Sequence, residues 1–290
     1  MNPARALHLP AYLGFFSGQF RKMLAYRTRY VTGIVSYLVY VTTYYYLWRA
    51  VFSHRAAGAE VAGYTLDQMV TYVAISWIAR SAYFNNVDRE IAEQVQNGSI
   101  AVALSRPVSL QGTVVAAALG EGLFRFCFFT LPIGAVILLL FPVGAPASPL
   151  HAAAFLVSCA LSQVILTHVN FLVGMCAFPL KNIDGVMRMK HYLIEILSGL
   201  LLPVALFPGW LQALSSWLPF QAIAYVPSSL WLGHLRGPAP AGGPLAWLAA
   251  EPGQLVARAL LVQLLWVAFL AVLSNLVWRR AARRLVVQGG

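Results

Sequence analysis

Charge is what this sequence has least of. Aspartate and glutamate together number nine in 290 residues, and all charged residues make up 10%, against roughly a quarter in soluble domains. With 60% hydrophobic residues and a mean hydropathy of +0.70, a water-soluble fold has no way to bury so much apolar surface. The chain therefore reads as an integral membrane protein. Cysteine is also scarce. Cys127, Cys159 and Cys176 all lie in apolar runs and form no C-x-x-C, so neither a disulfide framework nor a zinc site is indicated. The only lysines are Lys22, Lys181 and Lys190, and none follows a G-x-x-x-x-G-K-[ST] loop, so the chain shows no means of hydrolysing ATP. H-E-x-x-H and G-x-S-x-G are absent, and His8, His54, His151, His168, His191 and His234 share no metal-ligand spacing. No catalytic residue and no metal site are expected. The first thirty residues hold no cleavable signal peptide, and no internal repeat is evident.

What is present is a series of long apolar runs. A span needs about 20 apolar residues, and six candidates occur: 30–52, 68–84, 123–141, 152–178, 192–207 and 257–278. The third can begin further back, near Leu110, as one long helix over 110–141. The second and fifth are short and carry charges. The net charge of +11 points to the membrane rule rather than to nucleic acid, because the basic residues are unevenly placed. With six spans, 14 of the 20 Lys and Arg residues fall on one face, which marks it as cytoplasmic and puts both termini there. Ahead of the first span, Leu9, Leu13, Phe16, Phe20, Met23 and Leu24 form a helical stripe flanked by Arg21, Lys22, Arg27 and Arg29. This predicts an interfacial helix within 1–29 lying on the inner leaflet.

The most informative stretch is Asn85–Pro107, between the second and third spans. It holds Asp88, Arg89, Glu90 and Glu93 within six residues. Val87, Ile91 and Val95 recur at a spacing of four and define one helical face. Asn86 can cap the start, two acids sit in the first turn, and Asn97-Gly98 can end the helix. A short amphipathic helix held at the membrane surface is predicted, with its charged face free for a soluble partner.

Four charges fall within the cytoplasmic half of the spans: Arg80, Glu121, Arg125 and Glu195. Glu121 and Arg125 have the i, i+4 spacing of a salt bridge. Together the four form a candidate inner gate that attracts a polar head group. The plainer alternative is snorkelling to the interface plus one structural ion pair. His168 and Asn170 suit an interhelical hydrogen bond or, less simply, a proton relay. Pro132 and Pro203 suit kinks. Tyr44, Tyr45, Tyr46 and Trp48 suit an interfacial belt or the lining of an exit path. The outer connection, from Pro208 to Pro252, contains two apolar segments too short to span, parted by Pro219-Phe220. Over 208–233 they fit two short helices that dip into the outer leaflet and return, with Trp210, Trp217 and Trp231 at interfacial depth. The GPAPAGGP that follows reads as a linker.

Two local stretches bring a family into view. Val95–Pro107, VQNGSIAVALSRP, resembles the x-x-G-x-(I/L)-x-x-x-L-x-x-P stretch that follows the second span in permease subunits of type-2 ABC exporters. Trp217–Gly233, WLPFQAIAYVPSSLWLG, resembles their outer re-entrant stretch, L-P-F-x-x-x-x-x-x-P-x-x-x-x-x-G. The order of elements is similar along essentially the whole chain. The resemblance implies an all-α membrane protein, with an interfacial helix over 1–29 and a six-span permease domain over 30–290. It implies a cytoplasmic coupling helix and an outer re-entrant helix pair, in a bacterial cytoplasmic (inner) membrane. The chain would export a hydrophobic or amphipathic substrate by alternating access. Two cytoplasmic ABC ATPase subunits would bind it, carrying ATP and Mg, with no cofactor on this chain. A second permease, homologous or identical, would pair with it in contact with membrane lipid. Asp88, Arg89, Glu90, Glu93 and Gln94 would meet the ATPase, with Lys181 and Asp184 forming a smaller contact. Trp217, Pro219, Phe220, Tyr225 and Pro227 would form an outer gate. An ion-driven secondary transporter is the alternative, but that class favours repeats and mid-membrane carboxylates, and here the carboxylates crowd one end.

Overall fold

The computed structural model describes residues 9–25, 31–56, 58–180, 182–233 and 255–283. Among them the architecture is all helical, with no strand and one isolated bridge between Val61 and Tyr64. In chain order the helices are α1 (Leu9–Ala25), α2 (Val31–Phe52), α3 (Leu66–Tyr83), α4 (Val87–Gln96), α5 (Ile100–Ser105) and α6 (Leu110–Arg125). They continue with α7 (Leu131–Leu140), α8 (Pro149–Gly174), α9 (Asp184–Leu197), α10 (Gly209–Ser216), α11 (Tyr225–Leu232) and α12 (Leu255–Arg283). Three stretches of the described residues are long and apolar enough to cross a membrane: Leu110–Leu140, Pro149–Ala177 and Leu255–Ala282. Lys181, Arg27, Arg29 and the GPAPAGGP linker lie outside the described residues.

α3 explains why the second expected span is less apolar than the others. It is enclosed by protein, with Met69 to Trp77 buried without interruption. Its polar groups therefore need protein partners rather than lipid. Thr71 Oγ1 accepts from the Gly144 N–H at 2.8 Å, Ser76 pairs with Ser228 at 2.7 Å, and Ser81 donates to Thr130 Oγ1 at 2.8 Å. Tyr72 donates to the Gly199 carbonyl. α3 starts with a reciprocal cap, in which Thr65 Oγ1 accepts from the Gln68 N–H and Gln68 Oε1 accepts from the Thr65 N–H. α12 is the opposite case: only 22% of its most apolar window is buried, against 56% for α8, so a continuous apolar sequence suits it.

α6 and α7 form one rod, as the long third span predicted, but the rod is not a uniform α-helix. A π-helical turn, Phe126–Thr130, joins them, and the Leu131 N–H bonds back to the Phe126 carbonyl. Pro132 accounts for it. Without an N–H, proline leaves the carbonyl four residues earlier unbonded, and a wider turn absorbs the mismatch where a kink was expected. Over the fifth expected span, 192–207, the helix is not continuous. Helix α9 stops at Leu197, Gly199 takes φ +79°, and after Pro203 the chain makes only a short 3-10 turn, Val204–Leu206. A left-handed glycine followed by a proline ends a helix rather than bending it.

The connection between α9 and α12 contains the two expected short helices, α10 and α11. They differ in setting: α11 lies in an unbroken buried run from Gln221 to Leu230, while Trp210 and Trp217 on the α10 side are exposed. In α1, Leu9 and Leu13 of the stripe are exposed and Phe16, Phe20, Met23 and Leu24 are half-buried, with Tyr12, Phe16 and Phe20 turned towards α6. Gly120 makes this approach feasible: a Cβ there would overlap the Phe16 carbonyl. Small residues at helix contacts let backbones approach closely in membranes.

Replacing Gly120 with Ala should therefore destabilise the protein by about 1–3 kcal/mol through overpacking. Gly14→Ala, where nothing lies within 4 Å of the new atom, should be neutral or stabilising by up to about 1 kcal/mol. Thermal unfolding in detergent compares the two, and equal effects would contradict the α1–α6 contact.

Candidate functional site

The charged helix expected between the second and third spans is α4. Val87, Ile91 and Ala92 are buried and Val95 packs beside them, against Phe171 and Met175 at the end of α8 and Trp278 of α12. Ile91 sits directly over Gly174, 3.0 Å from where a Cβ would be. Asp88 and Glu90 occupy the first turn, where the helix dipole favours acids. Asn86 occupies the cap position without a side-chain bond; its neighbour Asn85 accepts from the Val87 N–H instead. The helix ends at Asn97, and Gly98 carries the reversal at φ +75°.

Asp88 corrects the expectation that all four charges share a free face. It is only 3% exposed and pairs with Lys190 of α9, Nζ to Oδ2 2.7 Å. Lys190 also donates to Asn170 Oδ1 of α8 at 2.7 Å. Asn170 in turn donates to the Asn85 carbonyl and to Asn85 Oδ1, at 3.0 and 2.9 Å, and Asn85 donates to Thr167 Oγ1 at 3.2 Å. The sequence carried the signal. At about 100° per residue, Asp88 falls in the middle of the sector bounded by Val87 and Ala92. Asn170 thus makes the interhelical bond foreseen for it, whereas His168 bonds within its own helix, to the Val164 carbonyl. Arg89 and Glu93 are exposed, and Glu90 and Gln94 are partly so. Asp184 is exposed at the start of α9.

The four charges of the expected inner gate, Arg80, Glu121, Arg125 and Glu195, come together, with part of α4, around a cavity of about 780 Å³. They form two ion pairs, Arg80 Nη2 to Glu195 Oε1 at 3.0 Å and Arg125 Nε to Glu121 Oε1 at 2.8 Å. Both arginines are buried, so they are held in pairs rather than extended to solvent. Their guanidiniums lie over the Phe84 ring at 5.3 and 5.5 Å. His191, one turn before Glu195, reaches the same carboxylate oxygen at 3.2 Å. Tyr37, Tyr40, Trp77 and Phe129 line the apolar part. Tyr40 stacks on Trp77 with centroids 4.4 Å apart. Tyr37 and Tyr40 were not foreseen as lining, although their one-turn spacing on α2 was visible.

The cavity also includes Lys22, Arg89, Glu90 and Glu93. Lys22 of α1 lies 3.7 Å from Glu90. Burial raises the Glu90 carboxyl above its ordinary value, and the Lys22 ammonium opposes this. Of the expected outer-gate residues, Tyr225 and Pro227 are buried, Pro219 and Phe220 half-buried, and Trp217 is 59% exposed. Among the described residues, no cluster of His, Cys, Asp and Glu could hold a metal ion.

Comparison with known proteins gives one family match: the model described as "ABC-2 family transporter protein" covers residues 38–289, most of the chain. No curated protein and no solved structure matches.

Asp88→Ala would leave the Lys190 ammonium buried and unpaired, which should cost about 3–5 kcal/mol. The double change Asp88→Ala, Lys190→Met should recover much of that loss, because no orphan charge remains. Unfolding midpoints of the single and double variants measure the difference, and equal losses would contradict the pairing.

Proposed function

The chain belongs to the ABC-2 family of transporter proteins, and from that premise we propose that it is the six-span permease subunit of an ATP-driven exporter. α4 is its coupling helix, and the observation that carries this reading is the division of that helix into two faces. One is seated against α8 and α12, and the other presents Arg89 and Glu93, which form no ion pair among the described residues. A helix that transmits a push must be anchored on one side and accessible on the other.

The buried cluster extends that role. Asp88 ties α4 to α9, and Asn170 and Asn85 tie both to α8. Displacement of α4 by a partner would therefore move three helices together. The second cytoplasmic contact, at Asp184 and Lys181, begins the segment that carries Lys190, so two contact points converge on one ion pair. In this reading two separate ATPase subunits bind ATP and Mg and drive the motion, a second permease completes the pathway, and both termini are cytoplasmic. α2, α3, the α6–α7 rod, α8, α9 with its continuation, and α12 supply the six crossings. The cargo is hydrophobic or amphipathic, moved outward by alternating access, with α10 and α11 at the outer gate. Glu121 and Glu195 argue against ion-driven transport, because each already has an arginine partner.

The reading is tested by the charge exchange Arg89→Glu, Glu93→Arg, which changes only exposed side chains and keeps the net charge. In a complex reconstituted with its ATPase, cargo-stimulated hydrolysis should fall at least about tenfold, as expected when rim charges that orient a partner are reversed, while the unfolding midpoint stays unchanged. Full stimulation in this variant would remove α4 from the coupling role. Transport that runs without ATP and collapses with the proton gradient would favour the secondary transporter.

A further inference from the structure

The cavity between α2, α3, α6 and α9 has a chemistry that the coupling role does not use. Its volume, about 780 Å³, falls in the range of roughly 300–1,000 Å³ typical of small-molecule sites. It is organised in two parts. One is aromatic, with Tyr40 stacked flat on Trp77 and Tyr37 edge-on to both Trp77 and Phe129. Tyr40 is half-exposed, so this part is open at the side of α2. The other part is polar, made of the Arg80–Glu195 and Arg125–Glu121 pairs, whose guanidiniums both lie against Phe84. The α4 end repeats the balance, with Lys22 and Arg89 against Glu90 and Glu93.

This pattern selects by charge distribution. An ion pair is a dipole of zero net charge. A singly charged ligand beside it is attracted by one end and repelled by the other, about 3 Å away, so a large part of the attraction is cancelled. A head group carrying both signs can lie antiparallel to the pair and gain from both ends. The field is strong where water is scarce, as it is beside buried Arg80 and Arg125. An apolar chain attached to such a head would run over the Tyr40–Trp77 stack.

We propose that this cavity binds an amphiphile with a zwitterionic head group: the head rests against the Arg80–Glu195 and Arg125–Glu121 pairs and the chain against Tyr40 and Trp77. The binding site stands on the cavity alone. That its occupant is cargo rests on the export reading.

The test uses the full-length protein in a neutral maltoside detergent, titrated with three dihexanoyl lipids below their micelle concentrations. Their heads are phosphocholine, phosphoglycerol and trimethylammonium. Binding is read as the change in intrinsic fluorescence that is lost in Trp77→Phe. The phosphocholine lipid should bind saturably and at least about tenfold tighter than the other two. Arg80→Gln with Glu195→Gln, which removes the dipole and keeps the net charge, should weaken it about tenfold. Tyr40→Ala should weaken it several-fold. Tighter binding of the anionic or cationic lipid, equal binding of all three, or no saturable signal would overturn the proposal. So would a loss in Tyr40→Ala alone, which would leave an apolar site with no head-group selection. If the double glutamine variant unfolds, the head-group series and Tyr40→Ala still decide. Saturable phosphocholine binding without stimulation of ATP hydrolysis in the assembled complex would keep the site and remove the export reading.

Discussion

The ion pair of Asp88 and Lys190 is the interaction on which the joining of α4, α8 and α9 depends. Two opposite charges held 2.7 Å apart with little water around them attract strongly, but Asp88 has lost its hydration and Lys190 most of its own, so the arrangement is stable only if the remaining polar atoms are also satisfied. Asn170, Asn85 and Thr167 meet that need. The result joins α4, α8 and α9 through polar contacts that tolerate little slack. An apolar contact of similar area would let the helices slide, whereas this network has one geometry.

The same rule operates one layer further in. Arg80, Arg125, Glu121 and Glu195 would be costly away from water unless paired, and they are paired. Pairing leaves a polar region without net charge, bordered by aromatic rings, inside a cavity that also touches the exposed side of α4. The cavity and α4 share Arg89, Glu90 and Glu93, so a ligand in the first and a partner on the second would act on the same short helix. The π-helical turn stands at the boundary of this cavity through Phe129, and Pro132 gives it a local cause.

Much of the helical framework was legible because it depends on local properties. Helices occupy the regions of the apolar runs at 30–52, 68–84, 110–141, 152–178 and 257–278, since length and hydropathy alone set a helix in lipid. The apolar face of α4 followed from the spacing of Val87, Ile91 and Val95, and its end from Asn97-Gly98. The fifth run failed as a continuous helix because composition does not reveal a left-handed Gly199. The close approach of α1 to α6 was not legible, because it depends on Gly120 of another helix.

By itself, the sequence determined that the chain lives in a membrane, that it is helical, and that a charged helix interrupts the series after the second run. Those conclusions follow from transfer free energies and helical periodicity, which act residue by residue. Only the tertiary structure decided that Asp88 turns inward to Lys190, 102 positions away, that Arg80 meets Glu195 rather than solvent, and that α3 is central. These pairings depend on which distant helices become neighbours. Coulomb attraction and hydrogen bonding in a low-dielectric interior act across space, and no local pattern encodes that proximity.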